Sequence, residues 1–493
     1  MNPEFWRGKR VLLTGHTGFK GSWLSLWLQS LGADVTGYGL DPPTQPALFE
    51  QARVAEGMTC IGGDVRDLDR LQRVVARHEP EIVFHLAAQS LVRESYRNPV
   101  DTFATNVMGT VHLLEAVRQV EAVRAIVCVT SDKCYDNKGW LWGYREYEAM
   151  GGRDPYSSSK GCAELVAEAY RQSFFTGDAH PGGSVAVATA RAGNVIGGGD
   201  WATDRLVPDI LRSLGKGEPV VIRNPQAIRP WQYVLDPLNG YLTLAEHLYR
   251  NGTDHSESWN FGPPESNIRS VEWVVEQLLT LCGAAEGWQQ DERWQPHEDI
   301  HLTLDSSKAR LRLNWRAHLE LRTVLEWIVD WMHAFQGRSD MREVSEAQIR
   351  RFTDIVTSEA GARIRWKGLY PFERSLSLEG PAQLLELTPD ATMVRKVDGT
   401  IVYWNQRAEQ MYGWSKEEAV GHISHSLLQT RFSSSLDEIE EQLLSNGYWE
   451  GALVHTTREG KRLHVSSYWA MEPRNTASNA PVLECNRVAT LRR

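Results

Sequence analysis

Two short stretches set reactive side chains close together. In "TSDKCYDN", residues 130–137, a hydroxyl, a carboxylic acid and an amine follow one another at Ser131, Asp132 and Lys133. They come directly after the apolar run 125–129, which reads as a buried strand. The trio therefore stands at a strand's C-terminal end, where open α/β sheets bind ligands. In "DPYSSSKGCAELV", Tyr156 and Lys160 are four residues apart at a helix start, about one turn, and so share a face. An ammonium beside a phenol stabilises the phenolate and lowers its pKa. That fits Tyr156 for taking a hydroxyl proton while hydride leaves the same carbon. The uneventful alternatives are an ordinary surface Tyr and Lys, and an exposed Asp132-Lys133 ion pair worth about 0 to 1 kcal/mol.

A third stretch, "VLLTGHTGFKGSWLSLWLQSLG", sets Gly15, Gly18 and Gly21 between a first strand and a helix. Glycines there let backbone N–H groups and a helix N-terminus approach a diphosphate, the pattern of dinucleotide binding. Asp41 comes too late to serve the ribose and reads as a loop residue. Asp64, after the third strand, can approach the adenine instead.

The elements that must position these groups follow from an alternation of apolar strands and helical stretches. "RVLLT", "DVTGYG", "MTCIGG", "EIVFHLA", "AIVCVT" and "SVAVATA" are separated by helical patterns such as 67–78 and 100–119. This predicts an α/β fold, a doubly wound parallel sheet with helices on both faces. The NAD-binding core is expected over about 1–190. A smaller substrate lobe, with helices at 204–215, 270–281 and 322–335, is expected over about 191–355. Residues 356–380 have weak periodicity and several breakers, and read as a linker. Residues 381–493 differ in kind, with an Asp398-Gly399 turn between two strands and a hairpin around "REGK".

At 493 residues the chain exceeds one ordinary core. Its net charge is −10, and the parts before and after residue 380 are both acidic on balance, which argues against a nucleic-acid surface. Six cysteines without a CxxC pair predict reduced thiols and no metal framework. The absence of an 18-residue apolar run or a signal-peptide pattern predicts a cytoplasmic protein away from the membrane. Most of the 19 tryptophans read as core, since Trp23, Trp27, Trp273 and Trp327 fall at helical spacings.

The glycine loop, "HLAAQS" at 85–90, "TSDKCY" and the YxxxK pair together resemble the extended short-chain dehydrogenase/reductase family. Within it, "GHTGFKGSWL", the Ser-Asp-Lys trio, "ARAGNVIGGGDW" and "IRPWQYV" resemble the CDP-glucose 4,6-dehydratase branch, over roughly residues 4–352. Related dTDP-sugar dehydratases carry an Asp-Glu pair where this chain has Asp132-Lys133. The resemblance implies a Rossmann-like fold and bound NAD, held by Gly15, Gly18, Phe19, Gly21, Asp64, Val65, Ala87, Tyr156 and Lys160. It implies CDP-glucose as substrate, with Arg191, Asn194, Arg223 and Arg229 around the CDP portion, and a homodimer or homotetramer built by helix packing. Oxidation of C4 acidifies the C5 hydrogen. Lys133 then fits the base that removes it, Asp132 the acid that protonates the departing C6 hydroxyl, and Ser131 a partner for the C4 oxygen alongside Tyr156. A 4-epimerase of the same fold and a non-catalytic nucleotide-sugar sensor are the competing readings.

Residues 381–493 resemble a PAS domain, which implies dimerisation, a partner or ligand input. The cysteine motif of flavin-binding relatives is absent, and His422, His425, His455 and His464 form no haem-ligand pattern. The expectation is a module without a cofactor.

Overall fold

The computed structural model describes residues 1–140, 142–175, 184–284, 287–291, 302–369, 386, 390–432, 435–446, 448–471 and 481–488. The chain divides into two compact units, Met1–Trp366 and Lys367–Arg493.

In unit 1, seven parallel strands make the central sheet among the described residues: β1 (Arg10–Thr14), β2 (Asp34–Gly39), β3 (Thr59–Gly62), β4 (Ile82–His85), β5 (Ala125–Val129), β6 (Ala186–Arg191) and β7 (Ser258–Asn260). Their spatial order is 3-2-1-4-5-6-7. The strands β4, β5 and β6 are buried at every position, because helices cover both faces and a continuous apolar run is the only pattern that satisfies both. The strand order reverses between β1 and β4, the place where doubly wound sheets open a crevice at their C-terminal ends.

The helices that matter for the site are α1 (Phe19–Ser30), α2 (Leu68–His78), α3 (Gly109–Val117), α4 (Pro155–Phe174) and α5 (Leu235–Asn251). At the start of α4, Pro155 takes the first helical position and the Asp154 carboxylate caps the Ser157 N–H at 2.9 Å. Those two residues fix where Tyr156 emerges. The expected helix over 100–119 is interrupted by a π-helical turn at Ala104–Met108, between Pro99–Phe103 and α3.

Unit 1 departs from the sequence expectation in two ways. The seventh strand comes from Ser258–Asn260, and α5 packs against β5 and β6, so part of the 191–355 segment completes the sheet layer. Strand pairing between distant segments leaves no local pattern to read. The segment expected to be a linker begins inside a helix, α6, which runs Met341–Leu369. Glu359, Ala360, Ala362 and Arg363 are good helix formers, and intrinsic propensity carries the helix where amphipathic periodicity is weak. Residues 370–380 of the expected linker lie outside the described residues. Trp23, Trp27 and Trp327 are core residues, with Trp273 half-buried against that core.

Unit 2 is a five-stranded antiparallel sheet among the described residues. It is formed by β8 (Ala391–Lys396), β9 (Ile401–Trp404), β10 (Tyr448–Thr456), β11 (Arg462–Ala470) and β12 (Pro481–Val488), in the order 9-8-12-11-10. The Asp398-Gly399 turn has Gly399 at φ +87°, and the β10–β11 hairpin turns through Gly460 at φ +83°, as the two turn signals predicted.

Candidate active site

The C-terminal ends of β1, β4 and β5 bring three loops together. Gly15 follows β1 at φ +75°, and a Cβ there would sit 2.7 Å from the Ala87 backbone nitrogen, so the loop after β1 packs directly on the loop after β4. The Ala87 N–H in turn donates to Thr14 Oγ1 at 3.2 Å. Gly18 caps α1 in extended conformation, Phe19 opens the helix against the core, and Gly21 packs on the Gly15 carbonyl. Beyond β3, Val65 is buried. The Asp64 carboxylate receives the Arg66 backbone and guanidinium N–H groups, which hold it below the usual carboxylate range.

After β5 the chain enters a single 3-10 turn, Asp132–Cys134, capped by Ser131. Ser131 Oγ donates to Asp132 Oδ1 at 3.0 Å and accepts the Lys133 backbone N–H at 3.3 Å. Asp132 is 3% exposed, and its Oδ2 has no hydrogen-bond partner among the described residues. Burial raises the pKa of this carboxyl, with the charges of Lys133 and Arg229 and the Ser131 hydroxyl opposing. Its seat depends on Gly193, where a Cβ would stand 1.7 Å from Asp132 Oδ2. Lys133 is half-buried beside it.

Tyr156 and Lys160 share the buried face of α4, as their spacing predicts. The expected lowering of the phenol pKa is not what the site shows. Burial pushes the Tyr156 phenol up to about 12, opposed most strongly by its hydrogen bond with Ser131. Lys160 points its ammonium at the Val129 carbonyl, 3.3 Å away, and burial pushes it down to about 8 against the pull of Glu164. Desolvation of the phenol outweighs a lysine that is spent elsewhere.

A family model for GDP-mannose 4,6 dehydratase matches residues 12–328, a span that begins within β1 and contains the turn and α4. The chain belongs to that family. Among relatives of this dehydratase-family chain, the CDP-glucose 4,6-dehydratase of Salmonella typhimurium is 53% identical over 357 residues, 72% of this chain and 99% of that protein. A probable dTDP-glucose 4,6-dehydratase of Sinorhizobium fredii is 26% identical, over 65% of this chain and 92% of its own length. Two solved structures share the fold. The dTDP-glucose 4,6-dehydratase of Bacillus anthracis in complex with NAD has a TM-score of 0.56 at 22% identity, covering 68% of this chain and 100% of that one. The UDP-glucose 4-epimerase of Thermotoga maritima with UDP-glucose has a TM-score of 0.56 at 22% identity, covering 66% and 99%. Residues 381–470 match the PAS fold, and the antiparallel sheet of unit 2 is that domain.

The four residues expected around the CDP portion have different surroundings in this dehydratase-family site. Arg229, on the short strand Ile228–Pro230, is near enough for its charge to act on Asp132. Arg223 is half-buried and pairs with Asp204 at 3.5 Å. Asn194 takes a left-handed backbone, φ +46°, and its carbonyl accepts from the Gln232 N–H at 3.2 Å. Arg191 is 2% exposed, and its guanidinium binds Glu164, the Tyr135 hydroxyl and the Glu146 carbonyl. An arginine at a strand end reads the same in sequence whether its partner is a ligand or a buried acid.

Sequence reasoning also missed residues in the cleft. Arg205 binds Asp200 at 2.9 Å and Ser90 Oγ at 3.1 Å, and its charge favours the ionised form of Tyr156. Lys20, within the glycine loop, is pushed down to about 7 by burial and by the charges of Lys160 and Arg205. The "GFKG" motif was a signal for Lys20. Nothing local marks Arg205.

Proposed function

We propose that unit 1 converts CDP-glucose to CDP-4-keto-6-deoxyglucose and water, with NAD as its resident cofactor. The Salmonella relative, matched over 99% of its length, supplies the substrate class. The observation that carries the chemistry is the Asp132 carboxyl, buried, unpartnered at Oδ2 and favoured in its protonated form beside Ser131, Lys133 and Tyr156. An epimerase returning hydride to the same carbon has no use for such an acid.

The residues present fit NAD. No side chain caps the first turn of α1, so its N–H groups remain available to a diphosphate. At Gly18 a Cβ would meet no protein atom closer than 3.5 Å, so protein packing does not demand the glycine there, whereas close approach of a ligand does. Gly15, Gly21, Phe19, Asp64, Val65 and Ala87 line that end in this reading. When bound, NAD supplies the acceptor for the C4 hydride and the donor that later reduces C6.

Tyr156 takes the proton of the C4 hydroxyl, with Ser131 holding the same oxygen. A phenol at about 12 needs positive charge nearby to ionise, and Arg205 supplies it from the protein. Once C4 is a ketone, Lys133 removes the acidified C5 proton and Asp132 gives its proton to the departing C6 oxygen; when C6 is reduced, the proton held on Lys133 returns to C5. Closure around Asp132 keeps bulk water from competing for that proton. Arg229, Arg223 and Asn194 remain the proposed contacts of the CDP portion, whereas Arg191 is not proposed for that role.

The same proposal gives unit 2 a dimerising or regulatory role and the protein a homo-oligomeric state and a cytoplasmic location. Among the described residues no helix is long and apolar enough to cross a membrane. Incubating the full chain with NAD and CDP-glucose should yield a product lighter by one water. An unchanged mass with inversion at C4 would establish the epimerase reading, and binding without turnover the sensor reading.

A further inference from the structure

The turn that carries Ser131, Asp132 and Lys133 is held at both of its ends by one buried ion pair. Glu164 lies one helical turn beyond Lys160 on α4, and Arg191 ends β6. Their side chains are 4% and 3% exposed. Arg191 Nε donates to Glu164 Oε1 at 2.9 Å and Nη2 to Oε2 at 2.7 Å, a bidentate pairing.

What the pair does with its remaining capacity is the informative part. The Thr130 hydroxyl, in the residue just before Ser131, donates to Glu164 Oε1 at 2.5 Å. At the other end, Arg191 Nη1 donates to the Tyr135 hydroxyl at 2.6 Å, and Tyr135 directly follows Cys134, the last residue of the turn. Tyr135 passes the contact on to Asn260 Oδ1 of β7 at 2.7 Å. Thr189 and Ser258 complete the Glu164 shell at 2.6 and 3.2 Å, so β6 and β7 are tied to the same carboxylate.

We propose that Glu164 and Arg191 are positioning residues for the dehydration, clamping the catalytic turn at Thr130 on one side and Tyr135 on the other. This rests on the function proposed above. The clamp also sets the register between the turn and β6. Arg191 stands two residues before Gly193, whose missing Cβ makes the seat of the Asp132 carboxylate. A shift of β6 against β5 would close that seat or leave the acid loose. Lys160 is drawn into the same frame, since its ammonium binds the carbonyl of Val129, the residue before Thr130. No group of the clamp needs to touch substrate for this to govern the rate. Displacing a reacting group by about 1 Å can cost on the order of a hundredfold.

Removing either charge would leave its partner buried and alone, and such a variant can fail to fold for that reason only. The test therefore removes one hydroxyl at a time from the full chain. Thr130→Val keeps the shape of the side chain and deletes its bond to Glu164; Tyr135→Phe keeps the ring and deletes its bonds to Arg191 and Asn260. With NAD and CDP-glucose, each should lower kcat about 10- to 100-fold while KM stays within about twofold, because the lost alignment matters only during reaction. Thr130→Ser, which restores the hydroxyl, should recover most of kcat. A general loss of structure would move KM and the melting temperature and would not be rescued in this way. Wild-type kcat in Thr130→Val, or a Thr130→Ser variant as slow as Thr130→Val, overturns the clamp, and this arm decides the matter even if Tyr135→Phe fails to fold. Failure of the wild-type chain itself to release water from CDP-glucose would overturn the proposed function instead, so the two failures are distinct.

Discussion

Among the described residues each unit buries one arginine–glutamate pair, and their surroundings could hardly differ more. In unit 1 both oxygens of Glu164 accept from Arg191 and from hydroxyls of Thr130, Thr189 and Ser258. Burial alone would disfavour this carboxylate, yet Arg191 and the hydroxyls hold it below the usual carboxylate range. In unit 2 Arg395 and Glu484 are each 1% exposed and joined by a single bond of 3.1 Å, with Asn486 donating to the other carboxylate oxygen at 3.1 Å. Around them Arg395 Nη2, Asn486 Oδ1, His425 Nε2 and His455 Nε2 have no partner among the described residues. The desolvation of a buried pair is offset only where the polar atoms around it are satisfied. The first pair meets that condition. The second does not.

The contrast is broken or sharpened by experiments of decreasing size. The largest effect is expected at the turn that the first pair frames. Asp132→Asn and Lys133→Met should each slow water loss from CDP-glucose by about 10²- to 10⁴-fold, measured by product mass over time. Near-normal turnover in either variant removes that residue from its role. Unit 2 melting should be unaffected by both, since Asp132 and Lys133 belong to unit 1.

Next comes stability. Arg191→Met leaves Glu164 buried without its counter-charge and should destabilise unit 1 by about 3 to 5 kcal/mol in denaturant unfolding. In unit 2 the double change Arg395→Met with Glu484→Leu should be neutral or stabilising by about 1 to 4 kcal/mol, because an unsatisfied pair gives way to apolar packing against Trp469. A large loss in the double variant would mean that the unit 2 pair is as well supported as the first.

The smallest effect concerns pH. Burial, with Arg395 and His455 adding to it, pushes His425 down to about 4 from an ordinary value of 6.5. Between those values the unfolded chain binds a proton that the folded unit refuses, so unit 2 loses stability as pH falls from about 6.5 to 4 and keeps it above. His425→Leu should flatten the pH dependence of the unit 2 melting transition. An unchanged slope would show that His425 carries none of it.

How much of this was readable in the sequence depends on how local each cause is. The strand-end trio, the shared face of Tyr156 and Lys160, and the glycine loop are set by neighbours within a few residues, and they stand where the patterns put them. The true partner of Arg191, the Gly193 seat for Asp132 and the seventh strand at Ser258–Asn260 depend on contacts between segments about 30 to 70 residues apart, for which a single sequence has no periodicity. The raised Tyr156 phenol was missed for a different reason. Spacing showed that Lys160 shares its face, but not that the ammonium would turn to the Val129 carbonyl.

The central claim is that one buried turn lets a hexose be oxidised at C4, dehydrated across C5 and C6, and reduced at C6 without release. CDP-glucose carrying deuterium at C4 tests this most directly, with the full chain, NAD and mass and NMR analysis of the product. The product should be lighter by one water, with the deuterium recovered in the C6 methyl group. Deuterium lost to solvent, or kept at C4 of an unreduced-mass product, would contradict it.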